Sequence, residues 1–590
     1  MRAGRTRGGT AALGLLLAVL LAGGCAVIPT DSAITSGSPA VPDRPVREVA
    51  AGPAAGVRPA ELVAGFLAAS PGAPDEYAVA RSFLTPGRAR TWRPEDTTVV
   101  YSGTLPTASV SGEVVDVPGA APAGGAADAD AGGDAVRARV EVPVVATIDA
   151  DGRYVPAPSG LVQTVELVLR RSAGQWRIDE LPDLVLVSEP DFGFQYRSYP
   201  LWYLDPTQQV LVPEQRWLPT TGATATRHVS ELLGGASPWL LRAVRTAVPA
   251  GTALAPPRSV TIDSGVAVLE LTGQARVASG RDRALMRAQL LATLQPVLGV
   301  TDVELRVDGG RLDVPPNVRL PRADPGPVGD PVLVEGSSVV RLVGRGLAPV
   351  EGLASLEGLD PSHPAVSLDG GRYAVLTSQR SELRLLAAGL PESEPALRGF
   401  DLTAPSFDRR GWVWSASAAS DGTVRAVSPS GEWLSVEAGW LAGRRVTSLR
   451  VGRDGTRVVV ASTAEDGVGH VDVAGIERTA DGTPVELAPA PSRSVATQLT
   501  TVREAVWIDA DELAVLGSEG GGDPLVHLAA VGGPRRPPRA PLAGITAITG
   551  GDGPRSLAVT LADGSVLTPS GAGWAELLAA GQARDAAFPG

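Results

Sequence analysis

From about residue 330 onward the chain carries no helical periodicity, and short apolar runs alternate with Gly, Asp, Pro and Ser turns. Such a texture is that of many short strands joined by tight turns. A weak repeat can be aligned within it. Ala365–Gly370 precedes Tyr373–Leu376, Ala404–Asp408 precedes Trp412–Trp414, and Ser448–Val451 with Asp454-Gly455 precedes Val458–Val460. Further copies are Ala505–Asp509 before Leu513–Leu516, and Ile545–Ile548 before Leu557–Val559. Asp369 to Asp408 is 39 residues, Asp408 to Asp454 is 46, and the step to Asp509 stretches to 55. The first two spacings lie near the roughly 40–50-residue period of four-stranded propeller blades. Residues 330–590 are therefore expected to form an all-β propeller of five or six blades, with a pair of β-sandwiches as the alternative.

Composition narrows the classes of function. The 590 residues allow three to five domains on a prior of roughly 100–200 residues each. A hydrophobic fraction of 44% with 20% charged residues permits sizeable cores. The net charge of −12 argues against nucleic acid as a partner, which calls for a basic face. One Cys rules out an intrachain disulfide, and four scattered His match no common zinc pattern, so no metal or cofactor is expected. Lys is absent and Asn317 is the one Asn, which reads as GC-rich coding bias.

At the start, Arg2, Arg5 and Arg7 precede an apolar run from Ala11 to Ala22. Twelve residues are too few to span a bilayer core of roughly 30 Å, but suit a signal peptide. Leu21-Ala22-Gly23-Gly24-Cys25 resembles a bacterial lipobox, with Ala22 where Leu, Val or Ile is usual. That resemblance implies a signal peptide over 1–24 and Cys25 as the mature first residue, an N-palmitoyl, S-diacylglycerol cysteine. More than one acyl chain gives stable anchoring, so the protein is expected at the extracytoplasmic face of the cell membrane. Residues 25–57, rich in Pro, Ser, Ala and Gly, read as a flexible tether or as an arm packed on the first domain.

Residues 58–190 are expected to form an α+β domain. Helices are predicted over Pro59–Ser70 and Asp75–Leu84, the latter ending before Thr85-Pro86-Gly87. Strands are predicted at Thr97–Ser102, Ala108–Val117, Val136–Asp149, Leu161–Arg171 and Gln175–Leu181, with Pro118–Ala135 a loop. Two helices before a meander suggest an NTF2/cystatin-like cone. A second α+β unit over 199–314 combines strands Leu201–Asp205, Gln208–Leu218, Ser259–Asp263, Val266–Leu271 and Asp302–Val307 with helices Thr226–Leu233 and Asp282–Gln295.

Seven of the chain's 25 Phe, Tyr and Trp residues fall within 185–220. They read either as a recognition surface, with Trp202, Tyr203, Trp217 and Trp239 as the candidate interface, or as a hydrophobic seam between two domains. No catalytic set emerges. His228 is placed on a helix, His363 in a loop, and His470 and His527 in strands, none beside a nucleophile elbow. The carboxylate pairs Asp75-Glu76, Glu95-Asp96 and Asp509/Asp511 read as solvated surface.

Several stretches together carry a family resemblance. They are Gly65–Ser70 with Phe83–Pro86, Leu211-Val212-Pro213-Glu214-Gln215-Arg216-Trp217-Leu218-Pro219, Leu232–Leu240 and Ala243–Gly251, along with the lipobox. In these the chain resembles the actinobacterial LpqB lipoproteins, with 199–310 similar to a GerMN domain. The resemblance implies a non-enzymatic accessory of an MtrA–MtrB-type two-component system. It would touch the extracytoplasmic region of the MtrB-like sensor histidine kinase and affect the cell envelope and cell division. A lipoprotein that binds cell-wall glycan or peptide is the rival expectation, and an enzyme acting on envelope polymers is a third.

Overall fold

The computed structural model describes residues 51–71, 77–111, 135–220, 223–297, 299–323, 325–326, 329–390, 394–418, 421–488, 493–536 and 541–590. Cys25, Asp75 and Glu76, and most of the loop expected at 118–135, lie outside them. Among the described residues no helix is long and apolar enough to cross a membrane.

The N-terminal unit packs helices on a mostly antiparallel sheet. Helix α1 (Pro59–Ala69) turns Leu62, Val63, Phe66 and Leu67 into the core, as their spacing requires. Helix α2 (Ala78–Ser82) ends before Thr85, but Thr85-Pro86-Gly87 opens a further helix, α3 (Pro86–Thr91), rather than a loop. The Thr85 hydroxyl accepts the Arg88 N–H, and Pro86 sits at the first helical position, where its missing donor costs nothing. The sheet comprises β1 (Thr97–Tyr101), β2 (Ala108–Ser111), β3 (Ala135–Asp149), β4 (Tyr154–Pro156), β5 (Val162–Ser172), β6 (Gln175–Glu180) and β7 (Val185–Ser188). Its main path runs β6-β5-β3-β1-β7, with β1 and β7 parallel. Ser188 caps a second unexpected helix, α4 (Glu189–Gln195), which leads straight into the next unit.

That unit begins with the hairpin β8 (Tyr196–Leu204) and β9 (Val210–Pro219). Helices α5 (Thr224–Gly234) and α6 (Pro238–Leu241) follow, then β10 (Thr261–Asp263) and β11 (Val266–Leu271). Ser264 and Gly265, at φ of 50° and 85°, give the β10–β11 hairpin the pair of left-handed residues its two-residue turn needs. Helix α7 (Gly280–Leu294) crosses back so that β12 (Asp302–Val307) lies parallel to β11, with β13 (Gly310–Arg311) at the edge. The connection to the next unit adds β14 (Arg322–Ala323) alongside β9.

The remainder is propeller-like, not a pair of sandwiches: it has six blades in five sheets, the third and fourth blades being joined in one nine-stranded sheet. Blade 1 combines Val332–Glu335, Ser338–Val343 and Gly346–Pro349 with the returning Arg584–Ala587, which closes the ring. The innermost strands of blades 2 to 6 are Ser362–Val366, Ser406–Phe407, Arg445–Val451, Thr501–Trp507 and Ile545–Thr549. His363 belongs to one of these strands and not to a loop, at a left-handed φ of 49°. The aspartates of the sequence repeat share one role. Each sits in the turn after an innermost strand, where its carboxylate accepts the N–H groups that follow: Gly371 on Asp369, Arg410 and Trp412 on Asp408, Thr456 on Asp454, Glu512 on Asp509. One apolar core runs without a break from Leu201, Trp239 and Leu285 into Val471, Trp507 and Val515 of blades 4 and 5.

Candidate functional site

Strand β9 is the element on which the three units meet. A strand sends successive side chains to opposite faces, and β9 is covered on both. Glu214 and Arg216 turn one way and form an ion pair at 3.0 Å, their side chains 3% and 1% exposed. Glu214 also accepts the Ser237 N–H at 3.1 Å and the Trp239 indole N–H at 3.2 Å. The Ser237 hydroxyl accepts from Arg216 at 3.3 Å and from Arg153 of the N-terminal unit at 2.6 Å. Burial opposes both charges, but each is held by the other: Glu214 lies below the usual carboxyl range and Arg216 above its ordinary value. Both charges thus persist inside the protein, compensated by extra donors and acceptors.

The other face of β9 meets the propeller. Arg457, itself paired with Asp454 at 2.6 Å, donates to the Pro213 carbonyl at 3.3 Å and lies 4.9 Å over the Trp507 ring. The Gln215 amide donates to Asp511 and accepts from the Ser198 hydroxyl at 2.5 Å. Trp217 ties all three units together. Its backbone N–H donates to Gly152 O at 2.7 Å, and its indole N–H donates to Gly532 O at 2.8 Å. Its ring packs 4.9 Å from Phe192 and 6.0 Å from Tyr154. The propeller also reaches the N-terminal unit directly, with Arg493 donating to Tyr154 O at 2.6 Å and Thr497 to Ala157 O at 2.8 Å.

Beside β9, the α6 region lies on the third strand of blade 4. A Cβ on Gly475 would stand 2.8 Å from both the Ala243 Cβ and the Trp239 carbonyl, so only glycine allows this approach. Arg242 pairs with Glu477 at 3.1 Å across the same boundary.

Titration in these joints is shifted. Burial, aided by the Asp151 charge, pushes Glu231 of α5 up to about 7 against the pull of Arg216, Arg227 and Arg153. Burial and the neighbouring Asp509 likewise push Asp511 up to about 7. The Asp509/Asp511 pair, expected as solvated surface, instead lies in the propeller turn facing β9, because the strand's Gln215 covers it. His228 is fully buried and lowered to about 4 by desolvation, its Nε2 3.2 Å from Pro200 O. Burial brings Arg493 down to about 10.

The propeller centre holds a cavity of about 70 Å³ lined by His363, Arg450, Glu504, Asp585 and Phe588. Glu504 is paired with Arg450 at 2.9 Å and accepts the Ile548 N–H, while Asp585 accepts the His363 N–H at 3.0 Å. A space of this size holds a few waters, not a sugar ring.

The expected interface residues are placed as follows. Tyr203 and Trp239 are buried in the core of the second unit and present no surface to an outside partner. Trp202 packs against that core, half-buried. Trp217 is the joint described above, so the aromatic-rich stretch serves an internal seam. The polar partners of that seam, Gln215, Asp454 and Arg457, escaped the sequence reading. Asp454 was visible as a turn residue, but nothing in the sequence marks Arg457, three residues later, as reaching another domain. Among the described residues no cluster of His, Cys, Asp and Glu could hold a metal ion.

Comparison with known proteins follows the same three units. Residues 52–193 match the family description "Lipoprotein LpqB, N-terminal domain", 200–313 match "Sporulation and spore germination", and 337–589 match "Lipoprotein LpqB beta-propeller domain". Lipoprotein LpqB of Thermobifida fusca is 32% identical over 88% of each chain, and that of Streptomyces avermitilis is 29% identical over 96% of each. Among solved structures, the first GerMN domain of the sporulation protein GerM from Bacillus subtilis aligns at 23% identity and a TM-score of 0.17, covering 21% of this chain and 93% of that one. TolB from Acinetobacter baumannii aligns at 14% identity and a TM-score of 0.32, covering 44% and 65%. The family models along the chain and the Thermobifida relative together establish that the chain belongs to the LpqB lipoprotein family.

Proposed function

We propose that the protein is a lipid-anchored accessory of a sensor histidine kinase of the MtrB type, acting at the extracytoplasmic face of the membrane. Cys25 carries the anchor, as an N-palmitoyl, S-diacylglycerol cysteine, and the stretch up to residue 57 is the tether. The N-terminal unit, with helices on a mostly antiparallel sheet, is a cone of the NTF2/cystatin kind. The observation that carries this reading is the seam on β9. The buried charges of Glu214, Arg216, Asp454 and Arg457 are used to join modules. Three units joined in this way present their surfaces to a partner as one body, and the tether keeps that body near the membrane. Confinement of both proteins to one plane raises their effective concentration, and a weak contact is then occupied.

The test is cross-linking in intact cells followed by purification of the protein and mass spectrometry of what is joined to it. The reading expects peptides of the kinase's extracytoplasmic region. Recovery of other lipoprotein contacts without the kinase would overturn it.

A further inference from the structure

We propose that His363 and Asp585 form a proton-sensitive latch on the strand that closes the propeller, holding the ring shut while the imidazole is neutral and loosening it when the imidazole takes up a proton. The inference goes beyond the accessory role and does not rest on it.

The two residues meet at the joint where the ring closes. His363 lies on the innermost strand of blade 2, and Asp585 on Arg584–Ala587, the strand that completes blade 1. Both are in the left-handed region, with φ of 49° and 58°. Each occupies a break in strand pairing: the register slips between Ser362 and Ala365 on one side, and between Arg584 and Ala587 on the other. Backbone of this kind is strained in residues other than glycine, and such residues gather at clamps and switches. The His363 N–H donates to Asp585 Oδ2 at 3.0 Å, but the side chains do not complete the pair. Nδ1 is buried 4.0 Å from the same oxygen and has no hydrogen-bond partner among the described residues. The side chain is 33% exposed and lines the central cavity, so a proton can reach the ring.

The charges around the imidazole set the direction of the response. Asp585 attracts a proton to it, whereas Arg380 of blade 2, Arg450 of blade 4 and Arg584 of the closing strand repel one. These guanidiniums are held by Asp401, Glu504 and Asp360 at 3.2, 2.9 and 3.1 Å. Burial, helped by the three cations, outweighs Asp585 and keeps the imidazole below its ordinary value. A charged His363 is therefore favoured where the joint has opened to water, and proton uptake drives the opening. Glu504, pushed up by burial, works in the opposite sense, because it takes its proton in the closed ring.

The closing strand is lightly held. Its pairing with Val332–Glu335 runs through Arg584 and Ala587. Beyond that, Arg584 donates to Pro361 O at 2.7 Å, the Phe588 N–H to Thr549 Oγ1 at 3.2 Å and the Gly590 N–H to Val366 O at 3.1 Å. Residues 585–587 are only half-buried and Arg584 is exposed. A segment of this kind opens locally without unfolding the whole.

Hydrogen exchange of the full-length protein is followed by mass spectrometry at pH 7.5 and pH 5.0, with labelling times scaled to the intrinsic exchange rate. Protection of 584–590 and 362–366 should fall in acid by about three- to thirtyfold, the ceiling being set by an ordinary imidazole value of about 6.5. Protection of 457–463 in blade 4 should not change. His363→Asn, which tolerates the left-handed backbone, should abolish the fall. Asp585→Asn keeps an oxygen for the His363 N–H but removes the attracting charge, so the fall should persist or deepen. No fall in the wild type, an equal fall at 457–463, a fall that survives His363→Asn, or tighter protection in acid would overturn the inference. So would loss of the response in Asp585→Asn, which would assign it to that carboxyl.

Discussion

The Trp217 indole N–H lies 2.8 Å from the carbonyl oxygen of Gly532, joining the second unit of the chain to blade 5 of the propeller. The same residue's backbone N–H is spent on Gly152 of the first unit. Trp217→Phe keeps most of the apolar contact but leaves the Gly532 oxygen unpaired, at a cost of about 1–3 kcal/mol. Trp217→Ala also opens a cavity beside Phe192 and Tyr154 and should cost about 3–5 kcal/mol. Urea unfolding measures both. Hydrogen exchange should quicken around 152–157 and 525–533 in the Ala variant before it does elsewhere.

Removing one partner of the Glu214–Arg216 pair strands a charge inside the protein. Glu214→Ala or Arg216→Ala should each destabilise by about 3–5 kcal/mol. A double replacement, Glu214→Leu with Arg216→Met, should recover much of that loss, because neither charge then has to be desolvated. Denaturant midpoints of the two single variants and the double variant decide the matter.

The opposed titrations give stability a definite pH dependence. Asp511, facing Asp509, Glu512 and Arg457, takes its proton up to about 7 in the folded chain, whereas an unfolded aspartate loses it near 4. The folded state therefore binds more protons between those values, and this contribution falls as pH rises from about 4 to 7, then levels off. His228 acts in the other direction. Lowered to about 4, it withholds up to on the order of 3 kcal/mol as pH falls from 6.5 towards 4. Asp511→Asn isolates the carboxyl. Its melting temperature relative to wild type should be higher at pH 8 than at pH 5, and an unchanged difference would refute the assignment.

Gly475 sits where the second unit presses on blade 4. Gly475→Val forces its side chain against Ala243 and the Trp239 carbonyl and should cost about 1–3 kcal/mol. Adding Ala243→Gly removes one of the two clashes. Partial recovery of the melting temperature in the double variant is the expected result.

How far the sequence revealed this architecture varied with the kind of signal. Strands Val266–Leu271 and Asp302–Val307 match their expected ranges residue for residue, because each alternates cleanly and is bounded by turn residues. The helices Pro86–Thr91 and Glu189–Gln195 were hidden, since Pro after Thr or Glu reads equally as a helix end or a helix start. The Asp repeat revealed the blade turns, but blade 1 shows no copy, because it is assembled from strands some 250 residues apart. Strand β9 was legible as a strand but not as the seam. With Glu214, Gln215, Arg216 and Trp217 in succession, its pattern shows no solvent face, and only the folded chain shows that both sides are covered.

The central claim, that proximity and docking at the membrane surface produce the effect, is tested most directly by the phosphorylation level of the response regulator in cells that lack the protein. Complementation with the wild type should restore the normal level. A Cys25→Ser form, secreted at equal abundance but released into the medium, should not, and the same form attached through an unrelated transmembrane helix should. Full restoration by the released form would contradict the account.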